Sequence, residues 1–134
     1  MKKTLLLLTI IFSINFCKSQ NDDTIEMQKI LIQMTTQISQ VSTKLNLQND
    51  MESNIKLIDL FVEKMQEFKN KVLDFDQRYP NSKAEQDMEV KKLGEKFQQV
   101  LANIMRKIKP LQLKYLHNEK FKEMLRKIGK LTTQ

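Results

Sequence analysis

The sequence predicts an all-α protein, an antiparallel bundle or hairpin of three long amphipathic helices followed by a shorter C-terminal helix. Glycine and proline occur only twice each in 134 residues, whereas a protein of strands and tight turns needs turn residues roughly every 8 to 12 positions. Apolar residues recur at alternating intervals of three and four, which places them along one face of a helix. Because the connections between these stripes are short, antiparallel packing of neighbouring helices is favoured.

The first predicted helix carries an apolar stripe with heptad spacing. Asp23 followed by Glu26 resembles a capping box, so we expect this helix to begin near Asp23. Continuation of the stripe would fall on Gln48 and Glu52, which are polar, and asparagines cluster there with Asp50. We therefore predict a turn or kink after the sixth stripe residue. The stripe consists of Met27, Leu31, Met34, Ile38, Val41 and Leu45.

The second predicted helix ends at a proline. Pro80 disfavours helical geometry in the residue before it, so the helix is expected to stop at Tyr79. Ser82 followed by Glu85 resembles a second capping box and predicts that the chain becomes helical again at Ser82. The stripe of this second helix consists of Ile58, Phe61, Met65, Phe68, Val72, Phe75 and Tyr79.

The third helix is predicted to run until Pro110, and a shorter fourth segment follows it. Both segments keep the helical spacing of apolar residues, which again predicts one buried face for each. The third stripe consists of Val90, Leu93, Phe97, Val100, Ile104 and Ile108, and the fourth of Phe121, Met124, Leu125, Ile128 and Leu131.

The stretch YPNSKAEQDMEVKKLGEKF resembles the junction between two tetratricopeptide repeats. In that family a proline ends one helix pair and the next pair opens W-x2-L-G-x2-Y; Val90, Leu93, Gly94 and Phe97 match this spacing with apolar substitutes. The resemblance covers residues 72–97, implies stacked helix pairs, and leaves a long-helix bundle as the alternative. Since glycine destabilises a helix by about 1 kcal/mol relative to alanine, we expect a neighbouring helix to approach closely at Gly94.

The N-terminal residues are typical of an export signal. A cationic start, Met1 to Lys3, precedes a mostly apolar run from Leu5 to Phe16. Twelve helical residues span about 18 Å, which is too short for a bilayer core of about 30 Å. We therefore predict that residues 1–19 are an export signal and that residues 20–134 form a single helical domain outside the cytoplasm.

Cys17, the only cysteine in the chain, allows two alternatives. It resembles the acceptor cysteine of a bacterial lipoprotein signal, because it ends the apolar run and a polar tether follows; Ile14 fits that pattern, whereas Phe16 replaces the usual small residue. The resemblance implies cleavage before Cys17 and a diacylglycerol anchor on its thiol. In the alternative, signal peptidase cuts after Ser19 and the protein is periplasmic.

Charge is unevenly distributed along the chain. Residues 20–90 contain eight lysines and arginines against thirteen acidic residues, a net charge of −5, whereas residues 91–134 contain twelve against three, a net charge of +9. The last segment carries Lys122, Arg126 and Lys130 at intervals of four, which forms a cationic stripe beside the apolar one. Four further cations surround Pro110, namely Arg106, Lys107, Lys109 and Lys114.

These seven cations are the predicted binding residues of the domain. Their expected partner is an envelope protein with an acidic surface or an anionic membrane surface. Nucleic acid is not expected, because the protein is exported and aromatic residues are not interleaved with the cations. The same cations could instead pair with the acidic residues of the N-terminal half of this chain. Pairing of the heptad stripes between copies of the chain would give a homo-oligomer.

Catalysis and cofactor binding are not predicted. If the signal is cleaved after Ser19, no cysteine remains in the folded domain. His117 is the only histidine. Because it is in register with the fourth stripe, we expect it to be partly buried. Haem-binding four-helix cytochromes hold haem between a methionine near the start of helix one and a histidine near the end of helix four. Met27 fits that pattern, but His117 precedes the last helix.

The sequence therefore favours a non-enzymatic exported helical protein that binds another cell-envelope protein; stabilisation or chaperoning of that protein is one role that such binding would have. Amphipathic helices with Met, Phe and Ile stripes suit such contacts. Two alternatives stay open at this point: a bundle that binds haem or another small ligand, and a coiled-coil envelope component that assembles with itself.

Overall fold

The computed structural model describes residues 21–132 and shows four α-helices and no strand in that part of the chain. This confirms the predicted all-α class, with three long helices and a shorter fourth. The helices are α1 (Asp22–Lys44), α2 (Met51–Arg78), α3 (Met88–Lys114) and α4 (Glu119–Thr132), and a short 3-10 helix (Ala84–Gln86) precedes α3. The predicted export signal and Cys17 lie outside the described residues.

The four helices form an up-down-up-down bundle. Helix α1 packs against both α2 and α3, whereas α4 packs chiefly against α2. Glu26 at the start of α1 pairs with Arg78 at the end of α2, and Lys120 at the start of α4 lies 3.6 Å from Glu52 at the start of α2. Consecutive helices therefore run antiparallel, as predicted, while α4 runs parallel to α2.

The core and the partly buried side chains packed against it contain the residues that the apolar stripes predict, except Val72 and Leu131, which are half-buried and line a surface pocket instead. Buried side chains come from all four helices, and Phe68 of α2 packs its ring 4.7 Å from that of Phe97 of α3. Burial of one large aliphatic or aromatic side chain contributes about 1.5–3 kcal/mol. Among the stripe residues, the most deeply buried are Met34, Ile38, Leu45, Ile58, Ile104, Ile108 and Phe121.

The predicted turn between α1 and α2 is confirmed, and Asn54 holds it together. The Asn54 side chain is fully buried; its amide nitrogen donates to the carbonyl of Asn46 at 2.9 Å and its amide oxygen accepts from Nδ2 of Asn49 at 3.1 Å. Asp50 caps α2 by accepting from the backbone N–H of Ser53 at 2.8 Å.

The predicted capping box at the start of α1 does not form, although the helix begins within one residue of the expected position. Helix α1 begins at Asp22, and Asn21 provides no side-chain cap. Glu26 pairs with Arg78 instead of with its own helix end, and the hydrogen bond and charge of Arg78 lower the pKa of Glu26. A distant cation is therefore the better partner for this carboxylate.

The prediction that α3 begins at Ser82 is wrong. The Ser82 hydroxyl donates to Asp23 of α1 at 2.6 Å and accepts from the backbone N–H of Ala84 at 3.1 Å, which supports only a short 3-10 helix. Asp87 is the actual cap, because its Oδ1 accepts from the backbone N–H groups of Glu89 and Val90, each at 3.0 Å. The Ser82 hydroxyl is bonded to Asp23 of α1 and to the N–H of Ala84, so it does not cap an α-helix.

The prediction that α3 stops at Pro110 is also wrong, since the helix continues to Lys114. A proline inside a helix removes one hydrogen bond and clashes with the preceding turn. Continuation past Pro110 nevertheless buries Leu111 completely, and it places the ring of Tyr115 5.2 Å from that of Phe121 in α4. Packing against the core therefore outweighs the local preference.

The close approach predicted at Gly94 does not occur among residues 21–132. A Cβ atom added to Gly94 would meet no atom within 4 Å, although the matched residues Val90 and Phe97 are buried. The glycine is therefore not required by the packing of α3 on its neighbours in the described part of the chain. The resemblance to a tetratricopeptide junction stays a prediction.

Candidate functional site

The candidate functional site is an apolar groove between α3 and α4. Because α4 packs chiefly against α2 and not against α3, a gap is left between α3 and α4. This gap has a volume of about 720 Å³. The groove is lined by Ala102, Met105, Arg106, Ile108, Lys109 and Gln112 of α3 and by Leu125, Ile128 and Gly129 of α4.

Exposed apolar side chains lie within the groove and near the end of α3. Met105 is 44% exposed within the groove itself. Leu113, in the last turn of α3, is 72% exposed, and Leu116, in the turn that follows α3, is 51% exposed. Exposed apolar side chains that line a groove are typical of a surface that binds a partner or a ligand.

Two cations line the α3 side of the groove. Arg106 and Lys109 are both exposed, and Arg106 donates one hydrogen bond, at 3.3 Å, to Asn103 of its own helix. On α4, Arg126 follows the lining residue Leu125 in the sequence and is exposed. None of the described residues that line the groove is acidic, so its charged lining is entirely positive.

Lys107 and Lys114, also predicted as binding residues, point to a different part of the molecule. The Lys107 ammonium donates to the carbonyl of Ser42, and that of Lys114 donates to the carbonyl of Leu47 at 2.7 Å. Carbonyls at and beyond a helix C-terminus lack partners within the helix and carry partial negative charge. These two lysines therefore hold the end of α1 and its following turn, and neither lines the groove.

The three cations of the predicted stripe on α4 also differ in their surroundings. Lys122 lies 2.8 Å from Glu119, and together with Arg126 it lowers the pKa of that carboxyl group. Arg126 and Lys130 are exposed. The stripe therefore presents two exposed cations and one lysine that is engaged within its own helix.

Two other lysines of α4, which the sequence analysis did not single out, pair with the acidic half of the chain. Lys120 lies 3.6 Å from Glu52 and Lys127 lies 3.4 Å from Asp59, both on α2. The protein's own acidic half was one expected destination for the cationic stripe. In the structure these two lysines contact it, on the side of α4 that faces away from the groove.

Sequence reasoning also missed the groove itself. Met105, Gln112 and Gly129 lie outside the apolar stripes, and nothing in the spacing of α4 shows that it packs on α2 instead of α3. The available signal was Met105, an apolar residue that lies outside the third stripe and that the structure shows to be exposed in the groove.

The described residues offer no grouping for metal chemistry and no membrane-spanning helix. No group of three or more His, Cys, Asp or Glu side chains converges between residues 21 and 132, and no helix there is long and apolar enough to cross a bilayer.

His117 is exposed in the turn before α4, so its predicted partial burial is wrong; Asn118 provides the cap by accepting from the backbone N–H of Phe121 at 3.0 Å. Met27 lies beside Tyr79 at the opposite end of the bundle.

Comparison of the chain with protein-family models, with curated proteins and with solved structures finds no match. No residue of the candidate site therefore takes its role from a relative.

Proposed function

We propose that this chain is a non-enzymatic, exported binding protein of the cell envelope, and that it binds a protein with an acidic surface through the groove between α3 and α4. The observation that carries the proposal is the combination of an apolar floor with two cations on the α3 side and no acid among the described residues that line the groove. Export is supported by the cationic and apolar zones of residues 1–16, which are followed by two alternative candidate cleavage sites, one before Cys17 and one after Ser19.

The groove suits a protein partner because each of its two properties has a separate consequence for binding. Desolvation of Met105, Leu125 and the other apolar side chains supplies affinity. The flanking charges of Arg106 and Lys109 raise the association rate and select acidic partners, more than they add to affinity. The acidic half of the chain cannot neutralise all of this positive charge, since the net charge of residues 91–134 is +9 whereas that of residues 20–90 is −5.

Loss of the groove cations is expected to weaken partner binding. The variant Arg106→Gln, Lys109→Gln, Arg126→Gln keeps helix propensity close to that of the native residues and removes three charges. At about 0.2–1 kcal/mol for each exposed charge pair, we expect roughly tenfold weaker binding at physiological salt. The measurement is quantitative capture of envelope-fraction proteins by wild type and variant, repeated at rising salt, where the difference should diminish.

A matched control removes the same number of charges elsewhere. Lys83, Lys91 and Lys92 are exposed at the other end of the bundle, and their joint change to glutamine should leave capture at the wild-type level. Equal capture by the groove variant, the control variant and the wild type would show that the groove cations do not bind the partner.

The anchoring of the protein is tested at Cys17. We expect the wild type to incorporate a radiolabelled acyl chain and to sediment with membranes, and Cys17→Ala to lose the label and enter the soluble fraction. Ser19→Tyr is the control: it blocks cleavage after Ser19 but leaves lipidation at Cys17 intact. An unlabelled wild type together with failed processing of Ser19→Tyr would assign the cut to Ser19 and a periplasmic location.

A further inference from the structure

We infer that the groove between α3 and α4 holds one amphipathic helix of the partner, with acidic residues beside its apolar stripe on the side that faces α3, and that the backbone of this helix comes closest at Gly129. The inference rests on the proposed function and narrows the partner from an acidic surface to a helical segment of defined chemistry.

Gly129 is the first observation that points to a helical occupant. Glycine inside a helix destabilises it relative to alanine, yet Gly129 lies within α4 and lines the groove. A Cβ atom at this position would meet no atom within 4 Å, so packing within the described chain does not require glycine. Ala102 across the groove is small as well. Small residues on facing sides allow a third backbone to approach closely.

The shape of the groove supports a helix more than a small ligand. Its α3 side extends from Ala102 to Gln112, which is about 15 Å or three helical turns. Met105 and Leu125 on its floor remain partly exposed, so the groove is open to solvent. Small-molecule pockets are more enclosed, because they usually bury about 70–90% of the surface of their ligand. An open apolar groove of this length is typical of helix-in-groove recognition, in which residues at intervals of three and four serve as anchors.

The positions of the charges identify one flank of the bound helix. The two cations among the lining residues, Arg106 and Lys109, lie three residues apart on the α3 side, and both are exposed. An amphipathic helix with acidic residues beside its apolar stripe, on the side that faces α3, matches these two cations.

The test places a side chain where the partner's backbone is expected. Gly129→Met should fill the groove, whereas Gly94→Met adds the same side chain at another helical glycine that also has no atom within 4 Å of an added Cβ and does not line the groove. Both variants should keep or raise the melting temperature, because methionine favours helix over glycine. Ala102→Met, on the facing side of the groove at an exposed position, is a second blocking variant in case Gly129→Met fails to fold.

The probe is a fluorescent synthetic peptide of about 18 residues, or five helical turns, with leucines at helical spacing and glutamates flanking them. Fluorescence anisotropy should show that it binds the wild type and Gly94→Met equally, and Gly129→Met or Ala102→Met at least tenfold more weakly. A peptide with lysines in place of the glutamates, and one with the same composition in scrambled order, should bind at least tenfold more weakly to the wild type.

The remaining outcomes separate this inference from the proposed function. If the charge variant loses envelope capture but Gly129→Met and Ala102→Met retain both capture and peptide binding, the helical occupant is wrong and the acidic partner stands. Binding to vesicles containing phosphatidylglycerol that Gly129→Met abolishes, without discrimination between the peptides, would overturn the inference in favour of a membrane surface. A concentration-dependent dimer that Gly129→Met abolishes would assign the groove to a second copy of the chain.

Discussion

Replacement of Phe97 by alanine is expected to lower the free energy of unfolding by about 3–5 kcal/mol. The Phe97 side chain is 3% exposed, and its ring packs 4.7 Å from that of Phe68 on the neighbouring helix. Truncation removes the buried ring and leaves a cavity that the surrounding helices fill only in part. Because a domain of this size has a total stability of about 5–15 kcal/mol, the loss is a large fraction of it.

Chemical denaturation followed by circular dichroism measures this loss directly. Gln98→Ala changes the next residue on the same helix, where the side chain is exposed, and should shift stability by less than about 0.5 kcal/mol. Phe68→Ala should have a smaller effect than Phe97→Ala, since Phe68 is only partly buried. If Phe97→Ala and Gln98→Ala gave equal, small shifts, α2 and α3 would not pack as described.

The ring contact itself can be separated from the burial of each ring. In the double variant Phe68→Ala, Phe97→Ala the two losses should be less than additive by about 0.5–1.5 kcal/mol, the usual contribution of an aromatic pair beyond its buried area. Strict additivity would show that the two rings contribute independently.

Asn54→Ala is expected to destabilise the bundle by about 2 kcal/mol, within the range of about 1–3 kcal/mol for a buried polar group that loses its partner. Asn54 is fully buried, and its carboxamide is bonded to both Asn46 and Asn49 of the turn between α1 and α2. The substitution removes one of the two donors to the carbonyl of Asn46, since the backbone N–H of Asn49 is the other, and it leaves Nδ2 of Asn49 without one acceptor. The turn should then exchange its amide protons with solvent faster than in the wild type.

Asn70→Ala is the matched control, because it is the same chemical change in the same helix at an exposed position. The Asn70 side chain makes one exposed contact, 3.3 Å from Nε2 of Gln66, and its loss should change stability by less than about 0.5 kcal/mol. Thermal unfolding and amide exchange of the two variants measure the difference. Equal stability of both variants would show that the Asn54 network does not hold the turn.

Local patterns in the sequence were sufficient to predict most of the helical architecture. The stripe residues Met34, Ile58 and Ile104 are fully buried, because residues at intervals of three and four share one helix face whatever that face packs against. The turn before α2 was also predictable, since a break in the stripe coincides with a cluster of residues that favour turns.

Helix ends were predicted less well, because their side chains have partners far along the chain. Ser82 donates to Asp23, 59 residues away, and Arg78 pairs with Glu26, 52 residues away. A capping box is recognised from residues three apart, so it cannot reveal that a carboxylate or hydroxyl has a better partner on another helix. Pro110 is a similar case, in which burial of Leu111 carries α3 past a residue that locally ends helices.

What the sequence by itself determined is the helical class of this protein, the buried face of each helix and the concentration of positive charge after residue 90. Only the tertiary structure decided that Lys107 and Lys114 hold the end of α1, whereas Arg106 and Lys109 border a groove. Neighbouring lysines on one helix point in different directions, since successive residues are about 100° apart. Which of them remain available to a partner depends on the helix that lies beside each one.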